Sequence, residues 1–193
     1  LYFGSDVLYR SSNAGVTMTK VSQEPIVSAV AISAIGIAPQ NDNVRLVGLR
    51  NGRLFGTVTG SSTLTDMGAG LPAKYIARCT IDPTNANVAY VSFAGFGLAA
   101  GAHVYKTTNL LSGTPTWAIA GNGIPDLPVN AFVIDPVTPT NLYAGTDVGV
   151  YRSTDGGANW SPYTTGMPVV AVFDMAIQGP SRILRIATHG RGM

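Results

Sequence analysis

Cysteine is almost absent from this sequence, and charge is scarce. A single thiol, Cys79, excludes an internal disulfide and a multi-cysteine metal site. Because it lies in the apolar run 75–81, it reads as a small buried side chain. Charged residues are 11% of 193 positions, and 12 Lys and Arg against 10 Asp and Glu leave a net charge of +2 with no basic run. That charge is too small and too scattered to draw in nucleic acid or an anionic membrane. The longest apolar run, 27–38, is broken by Ser28, Ser33 and Gly36 and falls short of the ~20 residues of a membrane span. No helical periodicity occurs. Gly-rich phosphate loops, metal-ligand spacings and a Ser/His/Asp arrangement are likewise missing, so no cofactor and no metal are expected. The chain opens on Leu1 without an initiator Met or signal peptide, as expected of a processed or trimmed polypeptide.

What the sequence does have is 46% hydrophobic residues, enough for a globular core, and a repeat. Residues 126–168 read as four short strands, 129–134, 141–145, 150–153 and 160–164, each β-branched or aromatic and bounded by Gly, Pro, Asn or Asp. Sliding this unit along the chain finds it again. The turn after its first strand recurs at Ile37-Ala-Pro-Gln-Asn, Ile81-Asp-Pro-Thr-Asn, Ile134-Asp-Pro and, degraded, Ile177-Gln-Gly-Pro. Spacings of 44, 53 and 43 residues are those of repeat architectures in which each unit is one sheet. The turn after the third strand keeps the same beat. Tyr151-Arg-Ser-Thr-Asp-Gly-Gly-Ala-Asn-Trp160 aligns without gaps to residues 9–18 and 55–64, and with three extra residues to 105–117.

The stretch Ser153-Thr-Asp-Gly-Gly-Ala-Asn-Trp160 resembles the Asp-box, or BNR repeat, of sialidase-like, xyloglucanase-like and sortilin-like β-propellers. Asn159 departs from the motif's Thr, and Asn13, Thr59 and Asn109 stand where the other copies would carry Asp. The period extends the resemblance over the whole chain. The expected fold is therefore all-β, a β-propeller of four-stranded antiparallel blades. The expected units are a partial blade 1–24, blades 26–71, 73–124 and 126–168, and a partial blade 169–193, with seventeen strands in all. Strands 27–37, 44–49, 54–58 and 64–67 are expected in the second unit, and Asn51-Gly52 marks a hairpin turn there. The segments 1–4 and 183–188 fill the same role in the repeat. That duplication, with only about four blades' worth of chain, points to an arc of a larger propeller. Its remaining blades would come from the same or another chain.

Successive turns of a meander alternate between the two ends of its strands, which sorts the candidate residues. The Ile-Asp-Pro and Asp-box turns fall on one face, where Ser153, Asp155, Gly157 and Trp160 read as a structural device. There the Asp155 carboxylate accepts N–H groups of its own turn. Asp82 and Asp135 are turn residues by the same logic, and Trp160 and Trp117 read as core. The opposite face carries the links between blades and the Gly/Ala-rich loop 93–103, and it gathers Lys74, Tyr75, Phe96, His103, Asp174, His189 and Arg191 as candidate binding residues. Asp174 falls in register with Ala34, Arg78 and Ala131 on the innermost strands and is the one weak catalytic candidate. Glycoside hydrolysis needs a second carboxyl group at ~5–10 Å, and no convincing partner is found. The resemblance and the residues together support a non-catalytic extracellular module that binds a protein or carbohydrate partner, without nucleic acid or a membrane span. Part of a xyloglucanase-like glycoside hydrolase is the first alternative. A peptide-binding assembly factor or receptor-type propeller is the second. Few Lys and Glu among abundant Ser, Thr, Asn and Gly fit an exported or cell-surface protein.

Overall fold

Seventeen short strands make five antiparallel sheets in the computed structural model, which describes residues 1–190. Arg191 lies outside the described residues. The first sheet contains β1 (Tyr2–Gly4), β2 (Leu8–Arg10) and β3 (Thr19–Lys20). The second contains β4 (Ile32–Ala38), β5 (Asn41–Leu49), β6 (Leu54–Thr57) and β7 (Thr65–Asp66). In the third are β8 (Ile76–Ile81), β9 (Ala89–Phe93), β10 (Val104–Thr107) and β11 (Ala118–Ile119), and in the fourth β12 (Val129–Ile134), β13 (Leu142–Thr146), β14 (Gly149–Ser153) and β15 (Ser161–Pro162). The fifth holds β16 (Val172–Ile177) and β17 (Leu184–Thr188). Chain order and spatial order coincide in every sheet, so each is a meander.

These sheets cannot be stable alone, because each has apolar side chains on both faces. Four clusters of buried residues answer this, one between each consecutive pair of sheets. Leu8, Val47, Leu49 and Phe55 join the first to the second, and Leu46, Ile76, Val91 and Phe93 the second to the third. Tyr90, Phe132, Leu142 and Trp160 join the third to the fourth, and Val150, Val172 and Met175 the fourth to the fifth. The first strands of sheets two to five, β4, β8, β12 and β16, pack side by side in that order. Face-to-face sheets around a row of first strands are the architecture of a β-propeller. Close approach requires glycine at the inner strands: a Cβ on Gly36 of β4 would stand 2.6 Å from the Cys79 carbonyl oxygen of β8. Cys79 is buried in the second cluster, and burial pushes its thiol up to about 12.

A β-bulge recurs at one position in every inner strand. The ladder skips Ser33, Ala77, Asn130 and Phe173, and the next residues pair as Ala34 with Gly48, Arg78 with Ser92, Ala131 with Gly145 and Asp174 with Ala187. Bulges turn a side chain out of the pleat and commonly border sites. Asp174, Arg78, Ala131 and Ala34 are thus equivalent in the ladder, each opposite a small residue.

Strand boundaries differ from expectation in the second sheet and at the outer edges. The first strand of the second sheet begins at Ile32, not at 27, because Val30 closes a turn by donating to the Val27 carbonyl and Ala29 has φ +59°. The fourth strands shrink to two residues each, 19–20, 65–66, 118–119 and 161–162. An outer edge this short offers little template for pairing with another chain.

Candidate functional site

Arg78 and Asp174 meet at the bulged end of the inner strands. Arg78 Nη2 lies 2.9 Å from Asp174 Oδ1 and donates to the Phe173 carbonyl at 3.0 Å, while Nη1 donates to its own neighbour, the Ala77 carbonyl. The guanidinium therefore spans from β8 to β16 past β12, whose residue in that register is only Ala131. Asp174 Oδ1 also accepts the Met175 N–H at 3.0 Å, whereas Oδ2 makes no hydrogen bond among the described residues. The pair borders a cavity of about 380 Å³ lined by Gly4, Ile32, Ser33, Ala34 and Ala77. The Asp174 side chain is 69% exposed, so the ion pair is solvent-screened and contributes about 0–1 kcal/mol to stability. Beside it the bulge turns Phe173 outward, half exposed, with its ring centroid 5.9 Å from that of exposed His189. Asn130, the bulge residue of β12, donates to Asp147 at 2.8 Å.

A second group forms at the same ends of the strands, around the loop 93–103. The Asp126 carboxylate accepts N–H bonds from Gly97 at 2.9 Å and Leu98 at 3.2 Å, and contacts His103 Nε2 at 2.8 Å. These bonds, the one from Gly97 foremost, hold the Asp126 carboxyl below the usual carboxylate range. Lys74 Nζ ties the other side of the loop by donating to the Phe96 carbonyl at 2.9 Å. With the loop so fastened, the Phe96 side chain stands 58% exposed, and Tyr75, which follows Lys74, is exposed as well. His103 is a correction to the sequence reading: it is fully buried and anchors the loop through Asp126, so it presents nothing to a ligand.

The expected site residues thus divide into two groups, Asp174 and His189 beside Arg78 and Phe173, and Lys74, Tyr75 and Phe96 in and around the loop held by Asp126. Sequence reasoning found Asp174 through its register but missed Phe173 and Asn130, since the four bulge residues share no side-chain type. It also left Asp126 out of the site. The signal that would have found its role is the excess of Gly in 93–103, whose free N–H groups need an acceptor.

On the opposite face, Asp155 Oδ1 accepts the Asn159 N–H at 2.9 Å and the Ser153 hydroxyl at 2.7 Å, and Oδ2 accepts the Asn159 amide at 2.9 Å. Led by the Asn159 side chain, these bonds hold the carboxyl well below its ordinary value, at about 2. Buried Ser153 takes the Gly157 N–H at 3.0 Å, and Trp160 reaches back to donate to Ala120 of the preceding sheet at 2.7 Å. Asp82 and Asp135 likewise accept N–H groups of their own turns, from Thr84 and Asn85 and from Val137 and Thr138. Arg182 adds a contact to Asp135 from the fifth sheet. Every carboxylate on this face is occupied by the fold. Among the described residues no three His, Cys, Asp or Glu side chains gather as a metal site, and no helix is long and apolar enough to cross a membrane.

No protein-family model and no curated protein sequence matches the chain. Solved structures do. The GH74 xyloglucanase from Xanthomonas campestris superposes with a TM-score of 0.72 at 15% identity, over 100% of this chain and 32% of that one. A GH74 enzyme from Niastella koreensis gives 0.71 at 18% identity, over 94% and 30%. YCF48 bound to D1 peptide gives 0.66 at 12% identity, over 95% and 55%. The chain spans about a third of the GH74 enzymes and about half of YCF48. At such identities the likeness is one of fold, and it places the five sheets among β-propellers.

Proposed function

We propose that the protein is a non-catalytic β-propeller module, exported or at the cell surface, that binds a partner protein through the bulged, blade-link face. The observation that carries this reading is the state of the carboxylates there. Asp126 is saturated by the loop, Asp147 is held by Asn130, and Asp174 is tied by Arg78, so no pair is free to act as acid and base. What remains available suits recognition: the Oδ2 of Asp174, the His189 ring, and the exposed aromatic rings of Tyr75, Phe96 and Phe173. Aromatic anchors beside fixed polar groups are the usual make-up of a protein-binding surface. A peptide on the YCF48 propeller supports a protein partner; a carbohydrate chain is the second choice, supported by the GH74 likeness.

The reading is tested with the intact protein and two probes, a peptide library and xyloglucan. Peptide capture with hydrogen-exchange protection at 74–78, 94–98 and 172–175 is expected, together with loss of capture in Phe96→Ala and Asp174→Asn. Release of reducing sugar from xyloglucan that disappears in Asp174→Asn would overturn it in favour of the glycosidase. Protection centred on 153–160 would overturn the choice of face.

A further inference from the structure

The loop between β9 and β10 belongs to the third sheet, which has the second sheet packed on one side and the fourth on the other. Residues 94–103 join these strands, where 5–7, 50–53 and 147–148 suffice in the first, second and fourth sheets. Gly95, Gly97 and Gly101 all have positive φ, and a chain of that composition wanders unless it is tied. Ties come from both sides. Ala94 donates to the Tyr75 carbonyl at 3.0 Å and Gly101 to the Ile124 carbonyl at 2.9 Å, while Asp126 holds the Gly97 and Leu98 N–H groups and Lys74 the Phe96 carbonyl. Leu98 packs onto the core between the second and third sheets, and Phe96 stays in solvent. The ring is thus presented by a loop that is already ordered, which lowers the cost of binding.

Lys74 puts a charge beside it. Its Nζ donates one N–H to the Phe96 carbonyl in an exposed hydrogen bond, which leaves two donors. Lys74 has no ion pair among the described residues. Neither acid of the site serves it, since Asp126 is held by the loop and His103 and Asp174 by Arg78. An ammonium without a counter-charge, fixed next to an exposed aromatic residue, is complementary to a carboxylate that stands next to an apolar side chain. A sugar fits less well, because its hydroxyls need polar side chains around the ring and the Asp126 carboxylate is already saturated.

We propose that Lys74 and Phe96 form a recognition site for an extended segment of a partner protein in which an apolar residue stands next to Asp or Glu. The carboxylate meets the Lys74 ammonium and the apolar side chain covers the Phe96 ring. This rests on the reading of the bulged face as a protein-binding surface and names the chemistry that one part of it selects.

The test uses the intact protein and a fluorescent peptide carrying Leu-Glu in a Gly/Ser background, with Leu-Gln and Gly-Glu versions and polygalacturonate as comparisons. The Leu-Glu peptide is expected to bind, to protect 94–98 from hydrogen exchange, and to exceed each altered peptide by about tenfold. Lys74→Gln should abolish the preference for Glu over Gln and Lys74→Arg keep it, whereas Phe96→Ala should abolish the preference for Leu over Gly. Thermal unfolding of Lys74→Gln and Phe96→Ala at the wild-type temperature shows that the losses are local. Equal binding of the three peptides, or both preferences intact in Lys74→Gln and Phe96→Ala, overturns the proposal. Tighter binding of polygalacturonate than of the Leu-Glu peptide overturns the assignment to a protein segment. Library peptides that protect 172–175 while the Leu-Glu peptide fails to bind overturn this site and leave the bulged-face reading in place; no capture of any peptide overturns both.

Discussion

The turn at 153–160 and its copy at 11–18 are two solutions to one problem, differing in two side chains that matter. Ser11 accepts the Gly15 N–H at 2.8 Å and donates to Asn13 Oδ1 at 2.9 Å, as Ser153 does to Gly157 and Asp155. Asn13 Oδ1 then accepts the Thr17 N–H at 2.9 Å, the bond that Asp155 takes from Asn159. The turn therefore needs a buried hydroxyl and an acceptor oxygen two residues on; a negative charge is dispensable. The second difference is Trp160, buried and bonded to the preceding sheet, against Met18, 40% exposed with no described sheet before it. The hydrogen bonds form the turn, and the indole locks one blade to the next.

Removing the lock should have the largest effect. Trp160→Ala is expected to cost about 3–5 kcal/mol, since a large buried side chain leaves a cavity among Tyr90, Phe132 and Ala120. Met18→Ala should cost well under ~1 kcal/mol because little apolar surface is lost at an exposed site. Denaturant unfolding of both variants decides; similar costs would mean that the turn, and not the blade contact, is what Trp160 supports. Trp160→Phe isolates the indole N–H, whose loss strands the Ala120 carbonyl at about 1–3 kcal/mol.

Next in size are the buried hydroxyls. Ser153→Ala leaves the buried Gly157 N–H without its acceptor and should lose about 1–3 kcal/mol, whereas Gly15 is exposed, water replaces its acceptor, and Ser11→Ala should lose less. Equal losses at the two sites would mean that burial of the donor does not set the cost. Smaller again, and opposite in sign, is Ala14→Gly. Ala14 adopts φ +56° where its counterpart Gly156 has +71°. Relieving a left-handed alanine should stabilise the first sheet by about 0.5–1 kcal/mol. No gain in thermal stability would mean that the positive φ carries no strain.

The same comparison explains what the sequence could disclose. Turns are written in residue type at fixed offsets, so Ile-Asp-Pro at 81 and 134 and Ser153 to Trp160 revealed the period and the all-β sheets. Copies with Thr57 or Thr107 in place of Ser remain readable because Thr supplies the same hydroxyl: Thr107 donates to Asn109 at 2.8 Å, and Asn109 Oδ1 accepts the Thr116 N–H at 2.9 Å across three extra residues. The bulge has no such spelling. Ser33, Ala77, Asn130 and Phe173 share a backbone register and nothing else, so the feature that aims Phe173 and aligns Arg78 with Asp174 was invisible. His103 misled for the reverse reason. A histidine in a Gly-rich loop reads as a surface group, yet His103 is fully buried and its Nε2 meets Asp126, twenty-three residues away.

The finest difference between the two turns is charge, and pH resolves it. The Asp155 carboxyl is held at about 2, below its ordinary value of 3.8, by Asn159 and Ser153. A carboxyl with a depressed pKa in the folded protein binds its proton less readily there than in the unfolded chain. Its contribution is therefore complete above pH ~4 and fades as pH falls toward ~2. Asn13 has no proton to gain, so the first turn should keep its bonds through that window. Asp155→Asn should accordingly stay close to wild type near neutral pH, while its stability falls less between pH ~4 and ~2. Asn13→Asp should do the opposite and add a new acid-sensitive increment to the first sheet. Unfolding midpoints for the two variants and the wild type across that range make the check. Parallel curves for all three would mean that the Asp155 charge is not coupled to its turn, and that Asp and Asn are interchangeable there at every pH.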